Sequence, residues 1–209
     1  MFIPKVFEQN DTDSLINLIR EYPFATLITI SEAEGIEANP IPLSFTQDEN
    51  KQYLQGHIAK ANPLWKSVNN GSDVLVVFNG PNGYISPNYY PTKQETGKAV
   101  PTWNYVTVQV RGRLSFIHDA DWNRAMIDRL TVEHEASQKN PWTLNDAPEG
   151  YIDKMLQAIV SVKVEIVSII GKWKLSQNQS EKNRNGVING LSSQSNASVI
   201  ASWVSAAKQ

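Results

Sequence analysis

The residues best suited to chemistry lie in the segment GHIAKANPLW at residues 56–65, where Lys60 follows a predicted strand and a helical turn begins near Asn62 and Pro63. Proline is favourable in the first turn of a helix. The free backbone N–H groups of such a turn, assisted by the Lys60 ammonium and the His57 ring, could hold a phosphate. A simpler interpretation stays open, in which Asn62 only caps the turn and Lys60 points into water.

A second candidate ligand contact is the run Asn39-Pro40-Ile41-Pro42 inside a predicted strand. Its two prolines cannot donate to a β-ladder, which indicates an edge strand or a distorted strand. The unpaired backbone groups of such a strand could face a ligand. Protection of a sheet edge against pairing explains the same residues equally well.

The stretch from Gly80 to Tyr105 holds four of the eleven prolines and four of the seven tyrosines. A connection this long without regular structure is usually functional or disordered, and its aromatic content argues against disorder. Flat side chains with polar tips suit the wall of a planar ligand's pocket or a subunit interface. A cover over the end of a sheet is the alternative.

Several catalytic and metal-binding classes have no support in the sequence. His134 and Glu135 begin like a zinc-protease helix motif, but Gln138 stands where the second histidine is needed. The three histidines lie in separate predicted elements. The chain has no cysteine and no Gly-x-Ser-x-Gly, P-loop or Gly-x-Gly-x-x-Gly motif. We therefore predict no metal site and assign no catalytic residue.

Two cations lie on one predicted strand. Arg111 and Arg113 flank Gly112, and alternation along the strand puts both side chains on the same face as Gln109. Exposure to solvent is the default expectation for such a pair. A phosphate or an acidic partner is the alternative.

Composition and charge limit the possible classes of protein. A chain of 209 residues, of which 41% are hydrophobic, can bury a full core. The formal net charge of -2 gives no overall attraction for nucleic acid, so DNA binding is possible but weakly supported. The absence of cysteine and of long apolar runs predicts a soluble, cytoplasmic protein without membrane contact.

Alternating patterns predict six strands, at residues 24–30, 36–45, 53–58, 73–78, 105–117 and 160–170. Helices are predicted at residues 11–21, 119–137 and 149–159, with a helical turn at 63–68. The expected fold is α+β, mainly β: a six-stranded antiparallel, barrel-like sheet with peripheral helices and a C-terminal helical hairpin. We predict a domain at residues 1–175 and a helical extension at 176–209, packed on the barrel or on a dimer partner.

Four strings of the sequence, GHIAKANPLW, FNGP-x-x-YISPNYY, GKAVPTWNYVTV and GKWKLSQNQSEKNRNGVINGL, resemble the PaiB-like family of FMN-binding negative transcriptional regulators. The resemblance covers nearly the whole chain. It implies a split β-barrel of the pyridoxamine-phosphate-oxidase type, a bacterial origin and a homodimer with FMN held at the dimer interface. It also implies a role in gene repression.

The same resemblance implies the position of the cofactor site. The 57–63 segment matches the place where related flavin barrels hold the FMN phosphate, and the 39–43 strand would offer backbone groups to the ring edge. The partner subunit would contribute the 101–104 segment and the strand that follows it. The implied FMN-binding residues are Asn39, Pro40, Ile41, Pro42, His57, Ala59, Lys60, Asn62, Pro101, Thr102, Trp103, Asn104, Thr107 and Gln109.

Two positions depart from the family pattern: Gln109, where histidine is frequent, and Gln179, where arginine is common. The first puts histidine-dependent ligand chemistry in doubt, and the second would weaken an anion contact. Three functions stay open. They are an FMN-binding dimer with flavin as a sensing or structural ligand, a flavin-dependent oxidoreductase acting on a small molecule, and a member that has lost flavin affinity. Haem or another planar ligand in the same site also stays open.

Overall fold

The computed structural model describes residues 1–32, 34–194 and 197–207. Its strands are β1 (Glu8–Gln9), β2 (Phe24–Ser31), β3 (Gly35–Pro42), β4 (Ser44–Gln47), β5 (Gln52–Ala59), β6 (Asp73–Ile85), β7 (Thr102–Ile117) and β8 (Ile159–Lys174). Its α-helices are α1 (Thr12–Glu21), α2 (Leu64–Ser67), α3 (Thr92–Thr96), α4 (Ala120–Glu135), α5 (Tyr151–Gln157), α6 (Glu181–Ser192) and α7 (Ser198–Ala206). Short 3₁₀ turns cover Lys5–Phe7, Pro87–Tyr89 and Leu144–Asp146.

The strands form one sheet with the hydrogen-bonded order β3-β2-β6-β7-β8-β5-β4, and β1 pairs with β8. The pairs β1–β8, β2–β3, β2–β6, β4–β5 and β5–β8 are antiparallel. A mainly β, antiparallel fold with added helices is therefore confirmed. The sheet has eight strands rather than the six predicted, and among the described residues its order does not close into a ring.

The two additional strands have identifiable causes. β1 has only two residues, which is too short for any sequence pattern. The strand predicted at residues 36–45 is divided at Leu43, because the residues up to Pro42 pair with β2 and those from Ser44 pair with β5. The resulting β3 lies at one end of the sheet order, which confirms the edge-strand interpretation of its prolines.

The proline-rich stretch after Gly80 is more regular than predicted. β6 continues through it to Ile85, and β7 begins three residues before the predicted start. The alternation of burial along β6 shifts by one residue at residues 81–82, after which Gly83 and Ile85 are buried. Pro81 is tolerated because β2 pairs with β6 at Leu75–Val77, before the proline is reached. A 3₁₀ turn and α3 occupy the remaining connection.

The chain divides into two compact units. The middle unit comprises Ile19–Phe78 and Val110–Ile169. The terminal unit comprises Met1–Leu18, Asn79–Gln109 and the described residues from Ile170 onward. Each has its own buried apolar residues, and hydrophobic burial of this kind is the main favourable term in folding.

The predicted C-terminal helices are found in the terminal unit as α6 and α7. The Arg184 guanidinium on α6 donates to the carbonyls of Val204 and Ala207, at 2.9 and 2.5 Å. These bonds use carbonyl groups that the end of a helix leaves unpaired. Residues 195, 196 and 208 of the predicted hairpin lie outside the described residues, and the boundary at 175/176 stays a prediction. In the described part of the chain, no helix has the length and apolar character needed to cross a bilayer.

Replacing Gly56 with alanine is expected to destabilise the middle unit, since a Cβ there would lie 2.4 Å from the Pro42 carbonyl oxygen. Overpacking against backbone costs roughly 1–3 kcal/mol. Urea unfolding measures the loss, and Gln52→Ala on the same strand is the control, with an expected change within about 0.5 kcal/mol. Equal unfolding midpoints for the wild-type and Gly56→Ala proteins would contradict this close approach.

Candidate functional site

The end of β5 fixes the position of Lys60. The β5–β8 ladder runs as far as the pair Ala59–Ile159, and one more bond follows, from the Lys60 N–H to the Ala158 carbonyl at 2.8 Å. On the other side, the Trp65 indole Nε1 donates to the Lys60 carbonyl at 2.9 Å. The main chain of Lys60 is thus held at both ends of the residue, while the side chain is exposed. An amine presented in this way is accessible to an anion.

Asn62 stabilises the turn that follows. Its backbone N–H donates to the Ala59 carbonyl at 2.9 Å, and its side-chain Oδ1 accepts from the Leu64 N–H at 2.9 Å. Asn62 therefore bonds an N–H group of the turn, as the capping interpretation expects, although the N-cap position itself is Pro63. Its side-chain oxygen is already engaged. Any contribution of this turn to a ligand would come from its backbone and from Lys60.

His57 lies three residues before Lys60, with an exposed side chain. Desolvation by its surroundings nevertheless lowers the pKa of the imidazole, so the ring is neutral at pH 7. A neutral imidazole can donate or accept a hydrogen bond but adds no charge to a phosphate site. Lys60 is therefore the cation that this segment offers.

Lys60 also lines a cleft of about 350 Å³ in the middle unit, which the sequence did not predict. His118 and Arg124 line the same cleft, and the Arg124 guanidinium forms an ion pair with Asp153. The His118 ring packs edge-on against Trp65, with ring centroids 5.2 Å apart. His118 follows β7 and Arg124 lies on α4, both far from Lys60 in sequence, so no local pattern connects them to it.

The second predicted contact lies on β3, at one end of the sheet order. Ile41 is buried, while Pro40 and Pro42 are exposed. The Asn39 side chain is half-buried, and its Nδ2 atom is buried with no hydrogen-bond partner among the described residues. A buried donor without an acceptor costs about 1–3 kcal/mol, so this position favours the arrival of an acceptor.

The two predicted contacts meet at Gly56. A Cβ on this residue would lie 2.4 Å from the Pro42 carbonyl oxygen, so only glycine lets β5 approach the end of β3 this closely. His57 follows directly, and the same strand leads to Lys60. Pro42, the last residue of the 39–42 run, therefore lies against the strand that leads into the 57–62 segment.

The other predicted FMN contacts lie in the terminal unit, where three side chains already form hydrogen bonds, beginning with Thr102 and Asn104. The Thr102 hydroxyl accepts a hydrogen bond from the Lys174 amine. The buried Asn104 amide donates to the Ser176 hydroxyl at 2.9 Å. Neither side chain is therefore free to bind a flavin without giving up a bond within its own chain.

The remaining members of this group differ in exposure. Pro101 is exposed, and Trp103 is 53% exposed. Thr107 is buried and its hydroxyl donates to Asn79 Oδ1 at 3.2 Å, while Gln109 is half-buried. Pro101 and Trp103 are the two whose side chains are open to a partner. The assignment of the whole group to FMN stays a prediction.

An exposed apolar groove of about 460 Å³ lies on the middle unit. Ile30, Ile36 and Val167 line it and are 67%, 76% and 65% exposed. Arg111 and Arg113 line it as well, which confirms that the two arginines share one exposed face. A cluster of exposed apolar side chains is typical of an interaction surface.

Comparison with known proteins finds relatives over most of the chain. Residues 1–168 match the family described as "Putative FMN-binding domain". Protease synthase and sporulation protein PAI 2 of Bacillus subtilis is 31% identical over 94% of this chain and 91% of its own length. An uncharacterized protein of Emericella nidulans is 30% identical over 91% of this chain and 90% of its own length. Since one relative is fungal, the family is not confined to bacteria, and the bacterial origin stays a prediction.

A solved structure shares the fold. The flavocytochrome Anf3 from Azotobacter vinelandii gives a TM-score of 0.59 over 80% of this chain and 69% of its own. The sequence identity between the two is 13%, so this likeness concerns the fold alone.

Replacing Asn62 with alanine removes the acceptor for the Leu64 N–H and is expected to lower the free energy of unfolding by about 0.5–2 kcal/mol. Asn62→Asp keeps an acceptor oxygen and is the matched control, which should unfold close to the wild type. Urea titration followed by tryptophan fluorescence measures both variants, since Trp65 is bonded to the same turn. An equal loss in the two variants would show that the side-chain bond does not stabilise the turn.

Proposed function

The chain belongs to this FMN-binding, PaiB-like family, so its cofactor is FMN, and we propose that it is a homodimer in which FMN lies between the two copies and acts as a sensed ligand. The observation that carries the proposal is the approach of β5 to the end of β3 at Gly56. There the run predicted to contact the flavin ring ends against the strand that leads to the predicted phosphate contact.

The residues of the middle unit fit an FMN. Lys60 is an exposed cation next to a turn with backbone N–H groups, a combination that suits a phosphate. Asn39 has a donor without an acceptor, and its amide can turn about its broad χ2 torsion toward a carbonyl of the flavin ring. Bound FMN would supply hydride or electron transfer, while these residues bind and orient it.

A second copy of the chain is the occupant that we propose for the apolar groove. β3 carries both Ile36, which lines the groove, and the 39–42 run predicted to contact the ring. A copy covering the groove would remove apolar surface from water, at about 25 cal/mol per Å². It would also enclose the flavin site along the same strand. Arg111 and Arg113 would then need acidic groups or the FMN phosphate as partners.

The partner subunit would approach the flavin with its 101–104 segment. Pro101 and Trp103 are proposed to contact FMN with their side chains, since both are exposed. Thr102 and Asn104 would act through their backbone, because their side chains are bonded within their own chain. Thr107 and Gln109, on the strand that follows, are also proposed to contact FMN.

The proposed sensing role follows from linkage. A ligand held by two copies favours the dimer by the same factor by which dimerisation tightens its binding. A macromolecule that recognises the dimer would therefore respond to FMN occupancy. The net charge of -2 gives direct DNA binding little electrostatic support, so the regulation that we propose is indirect.

Replacing Lys60 with alanine is expected to weaken FMN binding roughly ten- to a hundredfold, because a charge-assisted bond to the phosphate is lost. Lys66→Ala is the matched control: Lys66 lies one turn further on, with its ammonium 4.9 Å from the centroid of the Trp65 ring. It should leave FMN affinity unchanged. Quenching of flavin fluorescence during titration measures both affinities. Wild-type affinity in Lys60→Ala would remove Lys60 from the site.

Replacing Ile36 with aspartate puts a charge into the apolar groove and is expected to separate the dimer and weaken FMN binding with it. Val132→Asp on α4 is the control, because Val132 is 60% exposed but does not line the groove. Sedimentation velocity with and without FMN measures the dimer, which FMN should tighten roughly fivefold or more in the wild type. A monomeric wild type, or a dimer indifferent to Ile36→Asp, would contradict the proposed interface.

A further inference from the structure

A cleft of about 590 Å³ lies in the terminal unit, and none of the middle-unit residues proposed to hold FMN lines it. Its walls come from the connection between β6 and β7, from the start of β7, and from the end of β8 with the residues that lead into α6. The volume lies within the range of about 300–1,000 Å³ that is typical of small-molecule sites. Tyr90 and Val100 form an apolar wall, and most other lining residues are polar.

The Lys174 amine is held at this cleft. It donates to the Thr102 hydroxyl and to the Trp103 carbonyl, the latter at 2.7 Å. An ammonium group has three N–H donors, so one remains for a ligand. Burial also lowers the pKa of Lys174, because desolvation disfavours the charged form. An anion in the cleft would compensate for that desolvation.

Ser176 lines the same cleft in an unfavourable backbone conformation. Its φ is 63°, and it is the one residue other than glycine with a positive φ in the described part of the chain. The conformation is held by the buried Asn104 amide, which forms two hydrogen bonds with the Ser176 hydroxyl, at 2.9 and 3.3 Å. Strain that the surrounding structure maintains in this way is concentrated at ligand sites.

The charged side chains that line the cleft favour a negatively charged ligand. Lys98 and Lys174 line it, and no aspartate or glutamate is among the described residues that do. Neutral hydrogen-bonding side chains, including Thr92 and Asn178, complete the lining. We propose that this cleft binds a small organic anion, a carboxylate or a phosphate ester, with its charged group between Lys98 and Lys174.

This site is separate from the middle-unit part of the proposed flavin site. Its cations are different lysines, and the strained Ser176 has no role in the FMN proposal. Thr102 and Asn104 are the residues that line the cleft and are also implied in FMN binding. Competition between FMN and the anion is therefore the alternative that an experiment must separate.

The test is a titration of the full-length protein with inorganic phosphate and with acetate, at constant ionic strength set by sodium chloride, with and without saturating FMN. Two-dimensional ¹H–¹⁵N NMR follows the side-chain amides of Asn104, Asn178 and Asn183. We expect saturable shifts confined to the cleft, and the tighter of the two anions identifies a phosphate ester or a carboxylate as the ligand class. The titration without FMN tests the anion site even if the protein does not bind FMN as proposed.

Charge-removing variants decide whether the shifts report this site. Lys98→Gln is expected to weaken the anion roughly two- to fivefold, and Lys174→Gln roughly tenfold or more. Lys5→Gln removes an exposed lysine of the same unit that does not line the cleft, and it should change nothing. Lys98→Gln alone still tests the proposal if Lys174→Gln does not fold.

Three results would overturn the proposal. The first is shifts that do not saturate or that spread over the whole protein, which would indicate non-specific ion binding. The second is equal anion affinity in the wild type and in Lys98→Gln. The third is displacement of the anion by FMN, which would assign the cleft to the flavin.

Discussion

The antiparallel ladder between β5 and β8 is the constraint on which the candidate flavin site depends. It pairs the two strands as far as Ala59 and Ile159, and the Lys60 N–H extends it by one bond to the Ala158 carbonyl. Trp65 then bonds the Lys60 carbonyl from the other side. Because the main chain cannot move here without breaking these bonds, the Lys60 side chain extends from a fixed backbone position. Such preorganisation lets a single surface lysine contribute to ligand affinity.

Groups that are absent shape this site as much as the side chains that are present. Gly56 has no Cβ, so β5 can lie against the Pro42 carbonyl. Pro40 and Pro42 have no N–H, so they cannot donate to a second ladder, and β3 pairs with β2 at one end of the sheet order. The close approach leaves the Pro42 carbonyl beside the strand that leads to Lys60, and the Asn39 amide lies three residues earlier on the same edge strand.

Local signals predicted the turn that carries the proposed phosphate contact and gave no indication of the terminal-unit cleft. The strand end, the Asn62 cap and Pro63 fall within one short segment, so the turn could be anticipated from the sequence. The mainly β class followed from alternation, which is also local. The strand count failed because the break at Leu43 is a change of pairing partner from β2 to β5, which no local pattern shows. The cleft joins Lys174 to residues far away in sequence. The positive φ of Ser176 gives no signal either, since glycine or asparagine usually occupies that conformation.

The two lysines are supported differently, and this determines what their ligands can do. At Lys60 the main chain is bonded and the amine is exposed. An anion bound there would therefore stabilise the folded chain by its binding free energy, without changing any hydrogen bond within the chain. At Lys174 the amine itself is bonded to Thr102 and to the Trp103 carbonyl, so an anion would alter bonds that position the start of β7. Since Trp103 is proposed to contact the partner's flavin, anion and FMN would then influence each other's affinity by the same factor. On these two proposals, the dimer would respond to both ligands together rather than to flavin alone.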